Sequence, residues 1–241
     1  MQKNSTRTYI LYAIGEILLV MIGILLALQV NNWNEERKMN ADRVIFHQRL
    51  SEDIELLYAD VEAARNYAVD NFEAILFSLG ALQEGVLPAD KDSVFNRFLD
   101  RYFKFSLNIL DLNTYNEMQN AGKLGLISNL ELRTELANLN DAKDFFTEVH
   151  RTFHNNSHLN TQYLDPYVEY QFITSPSDSG VADETIVFDF ERMSRDEELI
   201  RKVSRQTMLW RQSVIQHGRL LDSIELVKEQ LVRETDRLTG T

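Results

Sequence analysis

The chain has 241 residues, 37 acidic against 25 basic, and a formal net charge of −12. That balance argues against a nucleic-acid binder, which needs a basic face, and the absence of cysteine excludes disulfides, thiolate catalysis and thiolate metal sites. Only 3 proline and 9 glycine residues predict long helices with few breaks.

Ile10 to Val30 holds one charged residue, Glu16, and one strongly polar one, Gln29. At about 1.5 Å per residue it reaches roughly 30 Å, the thickness of a bilayer core. Tyr9 and Tyr12 stand at one end and Trp33 at the other, where water–lipid interfaces favour amphipathic rings. A cleaved secretory signal would have a shorter apolar core and a small-x-small site. Here Gln-Val-Asn-Asn-Trp-Asn follows, so an uncleaved anchor is expected. The lipid bilayer is the first expected partner. The expected division is a tail over 1–9, a transmembrane helix over 10–33 and a soluble helical domain over 34–241.

Gly15, Gly23 and Ala27 share one helical face, and small residues there let a second helix approach. A homo-oligomer or another membrane protein is the expected partner. Glu16 is costly in hydrocarbon by at least about 2.5–3.5 kcal/mol. It can reach toward the headgroups, pair with Arg7, stay protonated or face a partner helix. The polar edge Gln29, Asn31, Asn32 and Trp33 completes the residues singled out for membrane and helix packing.

No proline or glycine occurs between Asn31 and Leu79, so the span is expected to continue as one helix into the soluble region. Leu50, Ile54, Leu57, Val61, Ala64 and Ala68 alternate steps of four and three, and Phe72, Ile75, Leu79 and Leu82 resume the pattern. This is a seam at coiled-coil spacing. Gly85 and Pro88 end it. An aromatic helix follows from Asp90 or Asp92 to about Phe105. Capping boxes are expected at Thr114–Glu117, Ser128–Glu131 and Ser194–Glu197. The second opens a helix to about Tyr163, and the third opens a last helix to about Leu238 that lies antiparallel to the first. Ser175 to Asp183 reads as a polar loop, and Thr185 to Phe190 as one short strand or an extended segment. The fold class is therefore all-α: one N-terminal transmembrane helix continuing into an elongated antiparallel helical bundle, with at most one short strand or hairpin.

His150, His154 and His158 lie four residues apart, the spacing at which two imidazoles can share a metal. One ion cannot take all three, because the first and last stand about 12 Å apart along the axis. A pair with a carboxylate such as Glu148 is conceivable, but ordinary half-exposed histidines are the preferred reading. No cofactor is expected. No Gly-x-Ser-x-Gly, phosphate-binding loop, dinucleotide fingerprint or calcium loop occurs, so an enzyme is not expected.

Tyr12-Ala13-Ile14-Gly15-Glu16-Ile17, then Ile22-Gly23-Ile24-Leu25, then Ala27 through Glu35 resemble the opening of an uncharacterised bacterial family. Its members are single-span membrane proteins with a domain of unknown function, from Gram-negative bacteria. Thr114-Tyr115 to Glu117, Ala121 to Leu124, Leu126-Ile127 and Leu132-Arg133 resemble that family's second block. The resemblance implies an inner-membrane anchor and a periplasmic helical domain, and it supplies no catalytic residues. Basic-residue counts around the span mildly favour the opposite orientation. The reading is a membrane-anchored interaction or scaffold protein that self-associates through the span or the seam. The alternatives are a transport or channel subunit using Glu16, or a metal-dependent enzyme using the histidine helix.

Overall fold

The computed structural model describes residues 3–102, 104, 111–176 and 182–239, and the side chains of 12–102, 104, 111–156, 162–171 and 185–237. Helix α1 runs unbroken over Lys3–Glu84, 82 residues, or roughly 120 Å. It is followed by α2 (Asp92–Arg101), α3 (Asn113–Asn120), α4 (Leu130–Asn160), β1 (Val168–Pro176), β2 (Ala182–Phe188), α5 (Phe190–Ser194) and α6 (Glu197–Thr239). Short 3-10 turns occupy Ala89–Lys91, Leu124–Leu126 and Thr161–Tyr163. The fold is thus all-α with one antiparallel hairpin, as expected.

α1 ends because Gly85 takes φ +69°, a left-handed conformation glycine adopts without Cβ strain. The Val86 amide then donates back to the Ala81 carbonyl at 3.1 Å, satisfying an end carbonyl. The seam is buried as its spacing predicts. Leu50, Ile54, Leu57, Val61, Ala68, Ile75 and Leu82 are each at most 1 % exposed, while Ala64, Phe72 and Leu79 are half-buried. Each such leucine or isoleucine contributes about 1.5–3 kcal/mol by leaving water.

α6 covers that seam and runs antiparallel to α1. Tyr58 donates to Glu225 at 3.3 Å, Lys228 pairs with Glu55 at 2.6 Å, and the Tyr67 and Trp210 rings meet edge-on at 6.1 Å. Leu199, Val203, Trp210, Ile224 and Leu231 are buried on it. α4 packs on α6, also antiparallel, so it climbs in the same sense as α1.

Two apolar clusters result. One joins Leu50–Val61 of α1 to α3, α4 and the second half of α6. The other joins Ala68–Leu82 to α2, the hairpin and the first half of α6, with Phe95, Phe98, Tyr102 and Trp210 at its centre. The hairpin pairs Val168 with Phe188 and Tyr170 with Ile186. β1 was not expected from the sequence, and it takes in Ser175 and Pro176 from the expected loop. The strand at Thr185 begins earlier and stops at Phe188, because Phe190 opens α5 with Asp189 capping the Arg192 amide at 3.0 Å. Helix α2 stops at Arg101, short of the expected end near Phe105: Tyr102 is in a turn and Lys104 is outside any helix, while Phe103 and Phe105 lie outside the described residues.

The capping boxes differ from expectation. Asn129, not Ser128, accepts the Glu131 and Leu132 amides at 2.9 and 3.3 Å. Asp196, not Ser194, accepts the Glu198 and Leu199 amides at 2.8 and 3.0 Å. Thr114 caps nothing. It is buried as the second residue of α3, whose first flanking residue is the apolar Leu112.

Candidate functional site

The first candidate region is the free part of α1. From Tyr12 to Val30 every described side chain is exposed. An apolar window of mean hydropathy 2.4 in this helix has none of its residues buried. By length and composition the helix can cross a membrane. Glu16, Gly23, Ala27 and Gln29 all lie on this bare helix, and a Cβ added at Gly15 or Gly23 would meet nothing within 4 Å. Arg7, the possible partner of Glu16, lies outside the described side chains. Beyond Val30 the helix stays bare. Asn31 donates to Glu35 at 3.2 Å, Asn32 is exposed, and the Arg37 guanidinium sits 5.7 Å from the Trp33 ring centre.

The second region is the stem, where α1 enters the bundle. Phe46 is buried beneath two cations, Lys123 at 5.1 Å and Arg49 at 5.5 Å from its ring centre. Lys123 also pairs with Asp42 at 3.3 Å. Arg43 donates from Nε to the Leu126 carbonyl and from Nη1 to Asn40, both at 3.0 Å. Arg49 bonds Glu117 and holds its carboxyl below the usual carboxylate range. One turn on, the Asp53 carboxylate accepts the Thr114 amide at 2.7 Å. Asp42, Arg43, Arg49 and Asp53 therefore clamp α3 and the following turn against the stem. Gly122, at φ +67°, lets the chain make that turn. Lys123 then donates its amide to Met118 at 2.8 Å. The second sequence block thus docks on the helix that the first begins, at Asp42 to Asp53 beyond the first block's end.

The third region is the histidine helix. The structure separates its members. His150 is 1 % exposed, His154 is half-buried, and His158 lies outside the described side chains. Nδ1 of His150 faces the Phe146 carbonyl at 3.1 Å. A carbonyl only accepts, so Nδ1 carries the proton. Nε2 then accepts from the Ser213 hydroxyl at 2.9 Å. His217, which sequence spacing gave no reason to single out, donates from Nδ1 to the Ser213 carbonyl at 2.8 Å. The two imidazoles lie 4.8 Å apart, and Phe146 stacks on His150 at 3.8 Å. Burial first, then His217, pushes His150 down to about 4; burial likewise pushes His217 down to about 4.

A serine hydroxyl 2.9 Å from an imidazole is the spacing of a nucleophile and its base. Here both groups are walled in by α4 and α6, and a histidine held near 4 is a poor general base at neutral pH. The network's evident work is to lock α4 onto α6. Among the described residues no group of three or more histidine, aspartate or glutamate side chains is placed to hold a metal.

Residues 16–70 match a family described as "Family of unknown function (DUF6090)". The matched stretch takes in most of the bare apolar helix and the clamping residues of the stem. No curated protein and no solved structure matches the chain.

Proposed function

We propose that the protein is a membrane-anchored, non-enzymatic interaction or scaffold protein. Residues 10–33 cross the bilayer, and the bundle over 34–241 stands off it. The observation that carries this reading is the continuity of α1. An apolar segment with none of its side chains buried belongs to the same unbroken helix as the fully buried seam. In water that segment would expose far more apolar surface than a soluble monomer tolerates.

The cover that α6 gives the seam within one chain supports self-association through the apolar segment rather than the seam. Gly15, Gly23 and Ala27 give the close-approach face, and Glu16 gives a polar contact that a partner helix can satisfy. The family resemblance supports an inner membrane and a periplasmic bundle.

The test combines three measurements on the full chain. Alkaline extraction should leave it in the membrane fraction. A C-terminal topology reporter should be active only outside the cytoplasm. Crosslinking in native membranes should trap a second copy or another membrane protein. Release by alkali would refute the anchor, and isolated monomers would refute the association.

A further inference from the structure

The end of the bundle nearest the apolar segment buries polar groups from three helices. On α1, His47 is 1 % exposed, and neither ring nitrogen has a hydrogen-bond partner. On α6, Gln230 is buried with an unpartnered Oε1, and Glu234 is 3 % exposed. On α4, Nε of Arg133 is buried without a partner.

The helix registers bring these groups to neighbouring turns of α6. The Tyr58–Glu225 contact, carried back along α1 and forward along α6, sets His47 beside the turn that holds Glu234. The charge of Glu234 acts on His47 directly, as does that of Arg43. The His150–Ser213 contact, carried equally far along α4 and α6, sets Arg133 opposite Gln230. Three helices thus close over a layer of polar atoms that none of them satisfies.

Past Leu231 no described apolar side chain of α6 is buried, and the one buried side chain among the described residues is Glu234, whose ion pair is to the exposed Arg237 at 3.6 Å. Buried polar atoms without partners favour whatever state gives them water. Polar orphans also occur higher up, at Asn71, Ser78 and the Tyr102 hydroxyl. Those belong to the half of the bundle built on Phe95, Phe98, Tyr102 and Trp210, where separation would expose a large aromatic surface.

We infer that the base of the bundle is a joint that opens: α6 from Gln230 onward parts from the stem of α1 and the start of α4, and water reaches His47, Arg133 and Gln230. The first half of α6 stays docked during this opening. The stem carrying His47 is the same rigid helix as the apolar segment. A tilt or rotation of that segment is therefore delivered at the joint, and α6 is the element it releases. The opening itself is a property of the bundle and does not depend on the membrane reading.

The natural chain contains no cysteine, so a single introduced thiol reports on one place. In the full chain in detergent, Leu231→Cys and Val203→Cys replace two fully buried residues. Maleimide should label Leu231→Cys at least about tenfold faster, the rate being set by local opening. Amide exchange on the unaltered chain should show the same contrast between 230–237 and 199–210. The deciding variants are His47→Phe and Gln230→Met, each added to Leu231→Cys. Both remove polar atoms that have no partner, so both should slow labelling severalfold and leave Val203→Cys unaffected. Equal labelling at the two thiols overturns the inference. So does an unchanged rate in both variants, which is what simple fraying of a helix end gives. Variants that fail to fold also overturn it, since they would show those polar groups to be needed in the closed state.

Discussion

The carboxylate of Asp53, on α1, accepts the backbone amide of Thr114, the second residue of α3, at 2.7 Å. That is the bond a capping side chain makes at the start of a helix. Leu112 occupies the capping position and cannot make it, because its aliphatic side chain carries no acceptor; that side chain is instead fully buried in the core. A partner 61 residues away supplies the cap instead, which frees Leu112 to anchor α3.

Asp53→Ala should therefore destabilise the bundle by about 1–2 kcal/mol, the usual cost of losing a cap. Asp53→Asn keeps an acceptor and should lose less. Urea denaturation followed by circular dichroism measures both. Equal stability of Asp53→Ala and the parent would show that water replaces the carboxylate without loss.

Gly122→Ala should cost about 1 kcal/mol, through the backbone alone. Its φ of +67° is strained for any residue with a Cβ, yet nothing lies within 4 Å of where that Cβ would sit. Gly125→Ala is the control, having the same open surroundings and no positive φ. Thermal midpoints of the two variants should separate, with Gly125→Ala close to the parent.

Much of this architecture is legible in the sequence because its signals are local. The seam from Leu50 to Leu82 shows its period directly, and Gly85 with Pro88 marks where it stops. The bare helix from Tyr12 to Val30 is legible from composition. The helix starts are near misses: Asn129 and Asp196 cap where Ser128 and Ser194 were expected, one and two residues away. At Thr114 local pattern misleads altogether, because the acceptor comes from another helix and Glu117 is taken by Arg49. The histidines make the same point. Spacing along α4 links His150 to His154, whereas the fold links it to Ser213 and His217 on α6. Val168, Tyr170 and Phe172 do alternate, so the signal for β1 was present.

The buried histidines set a pH dependence. His150 and His217 have an ordinary value of 6.5 and are each held near about 4 when folded. As pH falls between those values the unfolded chain takes up protons that the folded chain does not. Stability is therefore full above 6.5, declines toward about 4, and gains no further loss from these two groups below that. The slope can reach about 1.4 kcal/mol per pH unit for each histidine. His47 is shifted in the same direction by burial and adds to the decline. Thermal midpoints from pH 7.5 to 4.5 should fall in the parent and fall less steeply in His217→Phe. Parallel profiles for the two proteins would show that His217 is not held neutral in the fold.

Removing residues 1–33 should leave the bundle as stable as it is in the full chain. Among the described side chains from Tyr12 to Trp33, every one is exposed, and none belongs to either apolar cluster. Among the described side chains the first buried residue of α1 is Phe46, well inside what remains. Among the described side chains α1 loses no tertiary contact, and its remaining helix is held by α6 along the whole seam. The truncated chain should therefore be soluble without detergent, keep its helical signal per residue over 34–241, and unfold at nearly the midpoint of the full chain in detergent. Aggregation or a non-cooperative transition would mean that the apolar segment supports the bundle through packing within or between chains. In that event the boundary between anchor and domain would have to move toward the stem at Asp42 and Arg43.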